Sequence, residues 1–139
     1  MLTAESLEER LLEEINQARA MNQLPPLRRS ESLNAIAKAH SRDMLERGYF
    51  DHRTPEGLGL KDRFERGRFT NWRRIAENIS SSQSCSSFNP IKAAVQGWMN
   101  SPGHRHNILD KQMQETGIGI AMDAQGKVFY ITQVFVAPK

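Results

Sequence analysis

The chain has 139 residues, 38% of them hydrophobic and 25% charged, with a formal net charge of +3. That length suits one domain, spanning 1–139, with a core that needs no staples, and the ordinary composition excludes disordered and fibrous classes. No apolar run reaches the roughly 20 residues that a membrane-crossing helix needs, and a single cysteine, Cys85, excludes an internal disulfide framework.

Residues 4 to 21 read as an amphipathic helix, because Leu7, Leu11, Ile15 and Ala18 recur at steps of three and four. Thr3 can cap it, and the early glutamates suit the positive end of the helix dipole. Met1 leads into this helix without a basic or apolar leader, so no signal peptide is expected within the chain. Leu24-Pro-Pro-Leu27 breaks the helix, since proline cannot continue it. A second helix runs from Ser30 or Ser32 to Arg47, with Leu33, Ile36, Ala37, His40, Met44 and Leu45 on one face and Gly48 at its end. Residues 48 to 62 form a loop, and a short helix follows from Leu60 to Arg66. Arg74 to Ser80 reads as a strand or extended arm, and the serine-rich stretch behind it as a surface loop.

Asn89-Pro90 opens a helix with Ile91, Ala94, Val95, Trp98 and Met99 toward a core, and Ser101-Pro102 repeats the cap for a shorter helix to Leu109. The pattern then changes period. Gly117 to Met122 and Val128 to Val136 are strands joined by a turn at Asp123-Ala-Gln-Gly126. Helices followed by a terminal hairpin predict a layered α+β domain.

Four histidines and one carboxylate are the candidates for chemistry. His40 lies on the apolar face of its helix and reads as a core histidine with one satisfied nitrogen. His52 follows an aromatic pair in a loop, where functional groups often sit. His104 and His106, two apart on a helix, point about 200° from each other, so they do not chelate together. His104 shares the face of Ile108 and Leu109 and is expected inward; His106 is expected outward. Glu77 alternates with Ile75 and Ile79 onto a buried face, where a carboxylate needs a partner such as histidine. Two neutral imidazoles and a carboxylate suit a borderline metal such as zinc, although a catalytic zinc generally has three protein ligands. Cys85 sits among serines with no nearby base, so a nucleophilic role is not expected. Residues 61 to 74, with Lys61, Arg63, Arg66, Arg68, Arg73 and Arg74, read as a solvated basic face that could meet an anionic surface.

Several segments carry a family resemblance: Asn16-Gln-Ala-Arg19, Leu24-Pro-Pro-Leu27, Ala39 to Met44, Phe50-Asp-His52, Ala76-Glu-Asn-Ile79, Trp98 to Leu109, Gly117-Ile-Gly-Ile120 and Thr132-Gln-Val-Phe135. In this order they resemble the CAP superfamily (cysteine-rich secretory proteins, antigen five and pathogenesis-related proteins), most closely its bacterial SCP-like branch. The resemblance implies a three-layer α-β-α sandwich with a small antiparallel sheet between helices and a large central cleft. It also implies a tetrad of two histidines and two glutamates able to take zinc or another divalent cation. His52 and His104 match the histidines and Glu77 the first glutamate. The second glutamate is replaced by Ser101, and Glu115 is the candidate substitute.

The leading expectation is a secreted or envelope binding domain whose cleft takes a divalent metal through His52 and His104, with Glu77 orienting an imidazole or a metal-bound water. The alternatives are a metal-assisted, peptidase-like hydrolase with Glu77 as general base, and lipid or sterol carriage, for which no unexplained apolar stripe is visible. A monomer, no transmembrane segment and no specific nucleic-acid partner complete the expectation.

Overall fold

Thr3 opens the first helix, α1 (Ala4–Met21), through a reciprocal cap. Its hydroxyl accepts from the Ser6 amide at 3.0 Å, and the Ser6 hydroxyl accepts from the Thr3 amide at 3.1 Å. A two-residue strand, β1 (Arg28–Arg29), follows the proline pair, and Ser30 caps α2 (Glu31–Arg47), which Gly48 ends in the left-handed region at φ +70°. Next come α3 (Leu60–Arg66), β2 (Arg74–Gln83), α4 (Pro90–Met99), α5 (Pro102–Ile108), β3 (Glu115–Met122) and β4 (Val128–Ala137). The structure, a computed structural model, describes residues 3–83 and 89–139. The reading of Cys85 lies outside those residues.

The sheet order is β1-β3-β4-β2, with β1 parallel to β3 and the other pairs antiparallel. The sheet is therefore mixed rather than wholly antiparallel, and β1 is too short to leave a period in the sequence. β2 also runs past Ser80 to Gln83, because its partner β4 is long enough to pair Ser81, Ser82 and Gln83 with Tyr130, Phe129 and Val128. Pairing overrides the weak strand preference of a serine run.

Helices cover both faces. On one, Leu7, Leu11 and Ile15 of α1 and Ile91, Val95 and Trp98 of α4 pack on Ile118, Ile120, Ile131 and Phe135. On the other, Leu33, Ile36 and Ala37 of α2 and Phe64 of α3 pack on Val134 and Val136. This is a three-layer α-β-α arrangement. Gly117 and Gly119 are what bring α2 so close: a Cβ on either would lie 2.2 Å from α2 backbone, at Leu33 or Lys38. Alternate residues of β3, Ile118 and Ile120, face the other layer.

Arg19 is fully buried, and its guanidinium donates to the carbonyls of Pro25, Ile108, Asp110 and Met113. It ties the end of α1 to the end of α5. That anchor fixes the helix carrying His104.

Candidate functional site

β2 is an edge strand, and its residues separate onto two faces. Glu77 pairs in register with Val134 on the α2 side, and Asn78 with Gln133 on the α5 side. The free edge is covered by side chains from α4 and α5. Trp98 Nε1 donates to the Ile79 carbonyl at 3.0 Å, and Asn107 Nδ2 donates to the Glu77 carbonyl at 3.4 Å and to Asn78 Oδ1 at 2.9 Å. Asn78 Nδ2 in turn donates to the His104 carbonyl at 3.1 Å, fastening α5 to the strand.

The Glu77 side chain is only 2% exposed, and its Oε1 accepts from His52 Nδ1 at 2.9 Å and from Arg63 Nη2 at 2.7 Å. Burial alone would raise its pKa, but the hydrogen bonds from His52 and Arg63 and the Arg63 charge outweigh burial and hold the carboxyl below its usual range. The same hydrogen bond to Glu77, reinforced by its charge, raises His52. Arg63 Nη2 also donates to the His52 carbonyl at 3.0 Å. His40 Nε2 donates to the Asp51 carbonyl at 2.8 Å, so two buried groups pin the loop from which the half-exposed His52 ring projects. The His40 pKa is lowered, first by burial and then by the Arg63 charge. It is a core histidine with one bonded nitrogen; its Nδ1 has no partner among the described residues.

His104 is half-buried, and its pKa is lowered by burial and then by the nearby charge of His52. Its Nδ1 lies 2.8 Å from Ser101 Oγ. Ser101 occupies the N-cap position of α5, yet its side chain makes no cap bond to the helix backbone. The expected cap hydroxyl is instead spent on the His104 ring. His106 is exposed and turns to Arg74 and Asp110. Glu115 does not join the cluster, because it pairs with Arg28 at the β1–β3 end of the sheet.

The structure thus gathers His52, Glu77, His104 and Ser101 at one sheet edge. Sequence reasoning missed Arg63, which lay inside a basic run read as solvated. The structure divides that run: Arg63 is buried on Glu77, Arg73 and Arg74 turn toward α5 and the residues after it, and Lys61, Arg66 and Arg68 stay exposed. Arg63 sits four residues after Gly59 in a helix whose other inward side chain is Phe64, a position that could have flagged it. On the far side of Arg63 a cavity of about 590 Å³ opens between α2 and α3, lined by Ala35, Ile36, Ala39, His40, Leu58 and Arg66 among others; His52 and His104 do not line it.

Among the described residues no group of three or more His, Cys, Asp or Glu side chains is placed to hold a metal. Two imidazole donors are present instead. With Nδ1 of each ring engaged, by Glu77 and by Ser101, the Nε2 atoms are left for a ligand, the arrangement that second-shell partners impose on metal-binding histidines. The donor set does not fit a closed structural zinc site, which takes four protein ligands. It fits a divalent cation that keeps water or another ligand in its remaining positions.

A family model described as the cysteine-rich secretory protein family, CAP, matches residues 12–135. An extracellular SCP-domain protein of Bacillus anthracis is 32% identical, with a TM-score of 0.80 over 96% of this chain and 41% of that one. An uncharacterized membrane protein of Bacillus subtilis, YlbC, is 32% identical over 131 residues, which are 93% of this chain and 34% of the relative. An outer surface protein of Borrelia burgdorferi, 17% identical, shares the fold at a TM-score of 0.85 over 99% of this chain and 97% of its own. The chain spans only 34% and 41% of the two curated Bacillus subtilis relatives it matches. No helix among the described residues is long and apolar enough to cross a membrane.

Proposed function

The chain belongs to the cysteine-rich secretory protein (CAP) family, and from that membership we propose that it is a binding domain whose cleft takes a divalent cation through His52 and His104. The observation that carries this reading is the shared posture of the two rings, each with Nδ1 hydrogen-bonded and Nε2 left over. The Glu77 carboxylate accepts from His52 Nδ1, which fixes the tautomer whose Nε2 lone pair is free. A cation held there, zinc being the natural candidate, would supply a Lewis-acidic position for an oxygen of the bound partner. Its working place is extracellular or at the cell envelope, a reading supported by the extracellular and surface descriptions of its relatives.

Glu77 works here as a positioning residue and not as a general base. A carboxylate clamped by Arg63 and His52, with its pKa lowered, is a weak proton acceptor. Calorimetric titration with zinc checks the metal reading: His52→Ala and His104→Ala should each abolish measurable binding, and equal affinity in all three proteins would remove it.

A second reading, carriage of an amphipathic ligand with an apolar part, is favoured by the cavity beside α2, which Ala35, Ile36, Ala39 and Leu58 line together with the charged Asp43, Arg47, Glu56 and Arg66. Binding of a fluorescent fatty acid should be lost in Ala39→Trp, which fills the cavity. Undiminished binding in that variant would remove this reading.

A further inference from the structure

We propose a separate site on the opposite side of α5 from His104: a basic groove that binds a linear, phosphate-repeat polyanion. The fold builds it from three stretches of chain. Pro102, Arg105, His106, Leu109, Lys111 and Gln112 line a groove of about 550 Å³, with Asp110 in its wall. Arg73, just before β2, and Arg74, its first residue, lean onto the same wall, Arg73 donating to Gln112 Oε1 at 3.0 Å and Arg74 to Asp110 at 3.1 Å, with its Nη2 3.3 Å from His106 Nε2.

The charge is one-sided. Asp110 is the one acidic side chain lining the groove, it is 9% exposed, and Arg74 already uses it. Among the described residues neither Arg105 nor Lys111 has an acidic partner, and α5 carries no acidic residue to supply one. Among the same residues the Arg73 side chain meets a neutral amide, that of Gln112, and no acid. Exposed arginines and lysines without counter-ions attract phosphate and release its bound counter-ions on contact.

The number of cations selects the kind of polyanion. Arg73, Arg105 and Lys111 border one groove without an acidic partner among the described residues, and a strand that carries several phosphates matches that count of charges where a single phosphate does not. A flat bilayer would not enter the groove. The large hydrophobic side chains exposed among the described residues, Met21 and Phe50, do not line it, and its own apolar liners, Pro102 and the partly buried Leu109, do not project as a membrane anchor would.

The test uses fluorescently labelled inorganic polyphosphate, followed by anisotropy across a salt series. The wild-type chain should bind, with affinity falling steeply as salt rises. Arg105→Glu/Lys111→Glu should lose affinity by at least ~10-fold and flatten the slope of log affinity against log salt by about 1.4, as expected for two lost phosphate contacts on a flexible strand. Lys61→Glu/Arg68→Glu makes the same change in net charge elsewhere and should lose less than about 3-fold. The neutral pair Arg105→Gln/Lys111→Gln gives an intermediate loss and guards against a folding defect in the reversal, which circular dichroism monitors. Equal losses in the two reversal variants would overturn the groove, as would unweakened binding in the first. Binding to phosphatidylglycerol vesicles without binding to polyphosphate would overturn the polymer in favour of a membrane surface.

Discussion

Glu8 and Glu77 are both buried, both held by two nitrogen-bearing side chains, and both placed beside an edge of the same sheet. Glu8 closes the β3 edge beyond the short β1. Its Oε1 accepts from Arg29 at 2.9 Å, and its Oε2 from Lys38 at 3.1 Å and from the Ile120 amide at 2.9 Å. Lys38 also donates to the Ile120 carbonyl, and Asn34 accepts from the Ile118 amide, so the strand's open positions are satisfied by side chains and closed to another strand. Glu77 is used differently. Oε1 takes both partners, while Oε2, Arg63 Nε and Nη1, and His40 Nδ1 are buried without a hydrogen-bond partner among the described residues. One edge has spent its polar groups on the fold. The other keeps unspent ones beside two partly exposed imidazoles, and unsatisfied polar groups concentrate where a structure does something besides hold itself together.

The comparison can be broken first at Glu8. Glu8→Ala should cost about 2–4 kcal/mol in denaturant unfolding, since it removes the acidic partner of Arg29 and Lys38 and leaves the buried Ile120 amide unpaired; a loss under ~1 kcal/mol would show that the edge is not held this way. Glu77→Leu should cost less, about 1–3 kcal/mol, because His52 is half exposed and Arg63 keeps the His52 carbonyl. Removing both members, as Arg63→Met/Glu77→Leu, should return to within ~1 kcal/mol of the wild type. Glu8→Leu/Lys38→Met should not recover, because the Ile120 amide stays unpaired.

The third contrast is in pH. Glu77 is lowered from 4.5, so its contribution is present above pH 4.5 and is lost as pH falls through the folded value. His52 is raised from 6.5, so its contribution is full below pH 6.5 and is lost as pH rises through its folded value. The stability gap between wild type and Glu77→Gln should therefore be widest between pH 4.5 and 6.5 in unfolding measured across pH; a gap that keeps growing above that window would contradict the pairing. The smallest expected change in stability is at Ser101. Ser101→Ala should alter it by under ~0.5 kcal/mol. It should nonetheless weaken zinc binding by about 10-fold, because only the orientation of His104 depends on it.

Much of this arrangement was legible in the chain. The three- and four-residue spacing of Leu7, Leu11 and Ile15 located α1, and the phase of α5 separated His104 from the exposed His106. The Gly117-Ile-Gly-Ile120 pattern marked a strand, and the structure adds that its glycines admit α2. What stayed hidden depended on contacts far apart in sequence. β1 exists because Arg28 and Arg29 lie beside Glu115 and Thr116, and no local period records that. Arg63 looked like its neighbours until Glu77, fourteen residues on, was brought against it. Ser101 looked like a cap because caps are read from position, whereas its hydroxyl chose a ring three residues away. The basic run 61–74 looked continuous because sequence order cannot say which side of a helix an arginine leaves.

The central claim is that His52 and His104, and not the other two histidines, offer Nε2 to one cation. Imidazole ¹⁵N spectra recorded during a zinc titration test it directly, since the chain has only four histidines. The Nε2 resonances of His52 and His104 should shift together and saturate at one equivalent, while those of His40 and His106 stay in place. Shifts confined to His106, or to one ring of the pair with the other unmoved, would contradict the account.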